Sequence, residues 1–177
     1  VVDAESSDQF AGDFDGMGRL WTPHRMAYLN KEAQTPGCPF CTAPKRSDEE
    51  GLIVARGKTA YVIMNLYPYN SGHLMVCPDR HIATYDLATA EEVAEMGLLS
   101  QIAMRVLTQA TGCSGFNLGM NQGEVAGAGI ADHLHQHIVP RWQNDANFFP
   151  IIAQTKALPR LLGEMRDLLA EHWPAQS

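Results

Sequence analysis

The chain has 177 residues, 45% of them hydrophobic, with four cysteines and a net charge of −7. This length and composition fit one domain of ordinary core size. No apolar run reaches membrane-spanning length and no signal-peptide pattern is present, which together read as a cytoplasmic protein without a membrane partner. The cysteines are too few and too irregularly spaced for a secreted disulfide framework, and the charge does not suit a nucleic-acid binder.

Residues 1–18 hold Asp3, Glu5, Asp8, Asp13 and Asp15 and no Lys or Arg, so they read as an acidic mobile tail of −5, leaving −2 for a body over residues 19–177. A polyphosphate bound to such a body must be met locally, by a few cations, backbone N–H groups or a bound metal ion. Residues 20–29 suit a short helix. Gly37-Cys38-Pro39-Phe40-Cys41 suits a tight turn. Strands are predicted at Leu52–Ala55 and Ala60–Met64, joined by a hairpin turn at Arg56-Gly57-Lys58. A loop, Asn65–Gly72, leads to a third strand, Leu74–Cys77, ended by Pro78.

Thr89 and Glu92 form a capping box for a helix over Ala90–Ala110. Its apolar stripe is Val93, Met96, Leu99, Ala103, Val106, Leu107 and Ala110, and Gly112 stops it. Phe116–Met120 is a fourth strand. A Gly/Ala loop, Gly123–Gly129, precedes a fifth. Leu161, Leu162, Met165, Leu168 and Leu169 mark a final amphipathic helix. The predicted class is α+β: a five-stranded, mostly antiparallel sheet with a long helix and a C-terminal helix.

The fifth strand, Asp132-His133-Leu134-His135-Gln136-His137-Ile138-Val139-Pro140, holds three of the seven histidines. Alternation along a strand puts His133, His135 and His137 on one face. Neighbouring same-face residues lie about 6.5–7 Å apart, so the outer two cannot share one small ion and His135 is best placed to act. An imidazole can attack phosphorus when its other nitrogen is held protonated by an acceptor.

This run with the following Arg141 resembles the signature of the histidine-triad (HIT) family of nucleotide hydrolases and transferases. Asn65-Leu66-Tyr67-Pro68-Tyr69-Asn70-Ser71-Gly72-His73-Leu74-Met75-Val76 resembles the family's nucleoside-pocket loop and following strand. Asn121-Gln122-Gly123 with the downstream glycines resembles its phosphate-side loop. Leu20-Trp21-Thr22-Pro23-His24-Arg25-Met26 and Arg141-Trp142-Gln143-Asn144-Asp145-Ala146-Asn147-Phe148 are similar to the bacterial branch described as diadenosine tetraphosphate phosphorylases. The resemblance implies a HIT-like domain, a homodimer and attack by His135 on the α-phosphate, giving a nucleotidyl-histidine. His137 would donate to a phosphate oxygen. Adenine dinucleoside polyphosphates or mononucleotides are the implied ligands, with inorganic phosphate as second nucleophile and a divalent cation accompanying the substrate.

Around the triad, Asn65 is expected on a ribose hydroxyl or as a strand-ending turn former. Asn121, Gly127 and Gly129 are expected on the phosphate side, where backbone N–H groups can approach oxygens. Trp142 stacks on adenine, sits at a dimer interface or packs in the core. His73 reads as a hydrogen-bonding support for the site. Cys38 and Cys41 form a C-x-x-C turn, which serves metals or redox chemistry, and no thioredoxin-like unit surrounds it. Two thiolates need two more ligands for tetrahedral zinc, and His81 and His133 are the candidates. Metal-containing members of the family use the equivalent positions. Such a zinc would be structural, the alternative being two buried free thiols.

With water in place of phosphate the same site is a hydrolase, and with an amine leaving group a phosphoramidase. A non-catalytic adenine-nucleotide sensor would keep Asn65 and the glycine loop without needing His135.

Overall fold

The computed structural model describes residues 37–143, 145 and 160–175. The acidic tail and the helix expected over residues 20–29 lie outside the described residues, as do Asn144, Asn147 and Phe148.

The described elements are α1 (Pro39–Thr42), α2 (Asp48–Gly51), β1 (Ile53–Arg56), β2 (Ala60–Met64), β3 (Leu74–Pro78), α3 (Ala90–Thr111), β4 (Gly115–Gly119), β5 (Gln136–Arg141) and α4 (Leu162–Glu171). The five strands form one sheet in the order β1-β2-β3-β5-β4, with every neighbouring pair antiparallel.

Alternation sorts the sheet into two faces. Val62, Met64, Leu74, Val76 and Ile138 point to one face and pack with Met96, Leu99, Ala103, Val106 and Leu107 of α3 and Met165 and Leu169 of α4. Tyr61, Ile63, Met75 and Cys77 point to the other and pack with Phe40 and Ile53. The second face carries the histidines. Burial on both sides explains why β2 and β3 read as nearly continuous apolar runs.

Helix α3 starts as its capping box predicts. The Thr89 hydroxyl accepts the Glu92 N–H, and the Glu92 carboxylate accepts the Thr89 N–H. Gly112, at φ 66°, ends it in the left-handed conformation that a glycine adopts without a Cβ clash. The stripe differs from expectation at four residues. Val93 and Ala110 are only half-buried, while Glu92 and Ser100 are buried. Each buried polar group is satisfied: the Ser100 hydroxyl donates to the Met96 carbonyl, and Arg80 grips both Glu92 oxygens at 2.6 and 2.7 Å. The Arg80 guanidinium holds the Glu92 carboxyl down to about 2. This pair ties the segment that carries His81 to the first turn of α3.

Several boundaries also move. The turn expected over Gly37–Cys41 becomes the helical turn α1 from Pro39 onward, and Pro39 stands at its start, where a missing N–H costs nothing. β1 begins at Ile53 because Leu52, at φ 56°, is the left-handed cap of α2. β5 begins at Gln136, so His133 and His135 precede the strand. Pro140 lies inside β5: pairing with β3 ends at Ile138, and a proline is tolerated where a strand has lost one neighbour. Leu161 is exposed ahead of α4 and does not join its buried stripe.

Candidate functional site

The β3 end and the segment before β5 run side by side. The Leu134 N–H donates to the Ile82 carbonyl at 2.6 Å, and the His133 ring lies 2.9 Å from the Pro78 carbonyl through Nε2. Leu134 enters the α3 face of the core while His133 and His135 enter the other. The one-face arrangement therefore holds although two of its members lie outside the strand.

His133 turns away from its sequence neighbours. Its Nδ1 lies 3.4 Å from both Cys38 Sγ and Cys41 Sγ, and Cys41 Sγ lies 3.3 Å from His81 Nδ1. One ligand atom from each of Cys38, Cys41, His81 and His133 falls within 4.8 Å of all the others. Zinc–sulfur and zinc–nitrogen bonds at tetrahedral angles separate S and N by about 3.5 Å, so the donor set fits that ion. The Pro78 carbonyl takes the Nε2 proton of His133, leaving Nδ1 as the ligand atom. The other two cysteines, Cys77 and Cys113, are buried free thiols.

His135 is buried, and its Nδ1 lies 2.8 Å from the His133 carbonyl. A carbonyl only accepts, so Nδ1 carries the proton and Nε2 the lone pair. Burial pulls the His135 pKa below its ordinary value, which favours the neutral ring. His137 sits 5.0 Å from His135, ring to ring and nearly perpendicular.

A chain of donors sets the tautomer of His137. The Tyr69 N–H donates to His73 Nδ1 at 3.0 Å, so the fully buried His73 is protonated on Nε2. That Nε2–H donates to His137 Nδ1 at 2.9 Å, which puts the His137 proton on Nε2. His73 is thus the support that the sequence suggested, reached from Tyr69, whose ring stacks on His137 at 5.7 Å.

A cleft of about 360 Å³ opens beside His137, lined also by Tyr69, Asn117, Asn121 and Arg141. Asn121 therefore joins the triad's surroundings. Asn65 does not line that cleft: its Oδ1 accepts the Tyr67 N–H and its Nδ2 lies 3.3 Å from His73 Nδ1, so its amide closes the loop. Trp142 is drawn elsewhere. Its indole N–H donates to the Thr111 carbonyl at the end of α3, and its half-buried ring packs against the core.

The glycine loop has a defined local shape. Gly123 and Gly127, at φ 82° and 81°, bracket a tight turn over Glu124–Ala126. The Gly127 and Ala128 N–H groups donate to the Glu124 and Gly123 carbonyls. The turn thus engages the Gly127 N–H, one of the groups expected on the phosphate side. Gly127 shapes the loop, and Gly129 follows it on the exposed side.

Sequence reasoning missed the clamp behind the cleft. Arg141 forks onto both Asp145 oxygens at 2.6 and 2.7 Å and donates to Asn117 Oδ1. Buried Asn70 donates to Asp145 and to the Pro140 carbonyl. The Arg141 bonds hold the Asp145 carboxyl well below the usual range. Arg141 is therefore engaged within the protein. The visible signal was an arginine and an aspartate four residues apart, which a strand-end reading did not pair.

A family model for the HIT domain matches residues 46–144. The chain belongs to the histidine-triad family. It is 46% identical to a protein named "AP-4-A phosphorylase" from Mycobacterium tuberculosis, over 96% of this chain and 91% of that protein. Among solved HIT structures, a hypothetical histidine triad nucleotide-binding protein from Sulfolobus tokodaii superposes with a TM-score of 0.63 at 26% identity, covering 76% of this chain and 91% of that one. A zinc-bound histidine triad family protein from Mycobacterium smegmatis superposes with a TM-score of 0.62 at 24% identity, over 77% and 93% of the two chains, a likeness of fold. No helix among the described residues is long and apolar enough to cross a membrane.

Proposed function

We infer that this chain is a nucleotidyltransferase that cleaves diadenosine tetraphosphate by phosphorolysis. The observation that carries the reading is the His135 tautomer, with Nδ1–H on the His133 carbonyl and a lone pair on Nε2. Nearly full-length identity of 46% to the mycobacterial phosphorylase supports the substrate class. Nε2 of His135 attacks the α-phosphorus. A P–N bond forms, the bond from that phosphorus to the bridging oxygen breaks, and ATP leaves. Inorganic phosphate then attacks the adenylyl-histidine, ADP leaves, and Nε2 regains its lone pair. Nε2–H of His137 donates to a phosphoryl oxygen, where charge develops.

Asn65 is proposed for the ribose and Asn121 for the polyphosphate. With Gly127 spent on the turn, the Gly129 N–H is the loop donor proposed for phosphate, and a divalent cation travelling with the substrate supplies the remaining positive charge. Cys38, Cys41, His81 and His133 are proposed to hold zinc. With four protein donors the ion supplies geometry and no open coordination position. A reducing, cytoplasmic setting is proposed, one in which Cys38 and Cys41 would stay available as metal ligands.

The rate with diadenosine tetraphosphate is expected to rise strongly with phosphate concentration and to release ATP and ADP in equal amounts. A rate indifferent to phosphate, with AMP and ATP as products, would assign the second step to water.

Homodimerisation is proposed through α3 and β4. β4 ends the sheet, and Leu118 on it and Leu98 on α3 are 45% and 54% exposed. An isologous pairing would cover an open strand edge and both leucines. Light scattering at micromolar concentration is expected to return twice the chain mass, and a monomer mass would refute the pairing.

A further inference from the structure

The C-x-x-C turn carries a side chain that neither the metal cluster nor the transfer steps use. Phe40 lies between the two thiol ligands and is 6% exposed. Its ring centroid is 4.9 Å from that of His135 at an interplanar angle of 34°, and 5.5 Å from that of His133. Its backbone is anchored from the core, because the Tyr61 hydroxyl donates to the Phe40 carbonyl at 2.6 Å. Burial pushes the Tyr61 pKa far up, so the hydroxyl stays a donor. The Cys41 and Thr42 N–H groups both donate to the Cys38 carbonyl at 3.1 Å and close the turn beneath the ring.

His135 needs such a neighbour. Its one bond to the protein through Nδ1 fixes where that nitrogen points. Rotation about Cβ–Cγ within the tolerance of that hydrogen bond still tilts the ring, and the Nε2 lone pair lies in the ring plane. A tilt therefore misaims the attack, and transfer rates fall steeply with misalignment. A flat apolar ring in contact with the imidazole removes that freedom at little entropic cost, since the phenyl is itself immobilised.

Resting on the assignment of His135 as nucleophile, we propose that Phe40 is a positioning residue for nucleotidyl transfer: its ring fixes the plane of the His135 imidazole and aims Nε2 at phosphorus. The turn that presents the thiols to the metal cluster thereby also orients the nucleophile.

The test compares Phe40→Leu, which keeps apolar bulk, with Phe40→Tyr, which restores the ring. The readouts are kcat and KM with diadenosine tetraphosphate and phosphate, zinc content, and the imidazole NMR spectrum of substrate-free protein. Phe40→Leu is expected to lower kcat by about 10- to 100-fold with KM within about twofold and zinc content unchanged. The carbon-bound ring protons of His135 should move downfield as ring-current shielding is lost. Phe40→Tyr should recover the shielding and most of kcat. Unchanged kcat in Phe40→Leu, in a protein whose kcat does collapse in His135→Ala, overturns the role of Phe40 alone. A kcat that falls only in step with lost zinc and returns on zinc addition overturns it too. If both Phe40→Leu and His135→Ala keep full activity, the assignment of His135 fails and the proposal with it. Should Phe40→Leu not fold, the wild-type spectrum decides: unshielded His135 protons with no cross-peaks to the Phe40 ring contradict the contact.

Discussion

Replacing His135 with alanine is expected to lower turnover of diadenosine tetraphosphate by at least about 10⁴-fold, the scale seen when a covalent nucleophile is removed. Nucleotide affinity should stay within about threefold, because uniform binding rests on groups other than the nucleophile. Asn121, the glycine loop and the cleft beside His137 are all built on other residues. The fold should persist, since the His135 ring contributes one hydrogen bond, to the His133 carbonyl, and leaving that carbonyl buried and unpaired costs about 1–3 kcal/mol. Equilibrium binding beside steady-state rates checks both halves. Retained turnover would remove the covalent route. Lost affinity would mean that His135 is chiefly a binding group.

The second large effect concerns the four-residue cluster. Protein prepared without chelators is expected to carry about one zinc per chain, and Cys41→Ser to carry almost none. Cys41 Sγ touches both histidine ligands, at 3.3 and 3.4 Å, so its loss breaks the centre of the cluster. The cluster joins α1 to the β3 end and to the segment before β5, so a metal ion there would cross-link three pieces distant in sequence. A loss of about 4 kcal/mol is in the range for a deleted metal site, and at this chain length it corresponds to about 10 °C in melting temperature. Turnover should also fall, because the His133 carbonyl is the acceptor that holds His135 in its reactive tautomer. Metal analysis with thermal unfolding tests this. Wild-type protein that carries no metal when prepared without chelators, and melts together with Cys41→Ser, would contradict the site.

The elements visible in the sequence were those set by local chemistry. β2 spans Ala60–Met64 as its β-branched run implied, and α3 starts where Thr89 and Glu92 satisfy each other's backbone donors. What escaped was decided by contacts distant in sequence. His133-Leu134-His135 alternates like a strand, yet its backbone is tied to Ile82 and its first ring to two thiols far up the chain, so pairing with β3 starts only at Gln136. Composition marked Gly127 as permissive but could not show that its N–H turns back onto Glu124. The C-x-x-C pattern drew attention to its sulfurs, and the phenylalanine between them carried no sequence signal until its ring was seen against His135. The tie from the Trp142 indole to the Thr111 carbonyl at the end of α3 likewise joins positions 31 residues apart and left no local signal.

A covalent adenylyl group on Nε2 of His135 can be trapped by a rapid alkaline quench and detected by intact-protein mass spectrometry. Protein mixed with diadenosine tetraphosphate in the absence of phosphate should gain the mass of one adenylyl group, mapped by fragmentation to His135, and should lose it with release of ADP when phosphate is added. No adduct on any residue in a preparation that still releases ATP and ADP, or an adduct confined to His137, would contradict the account.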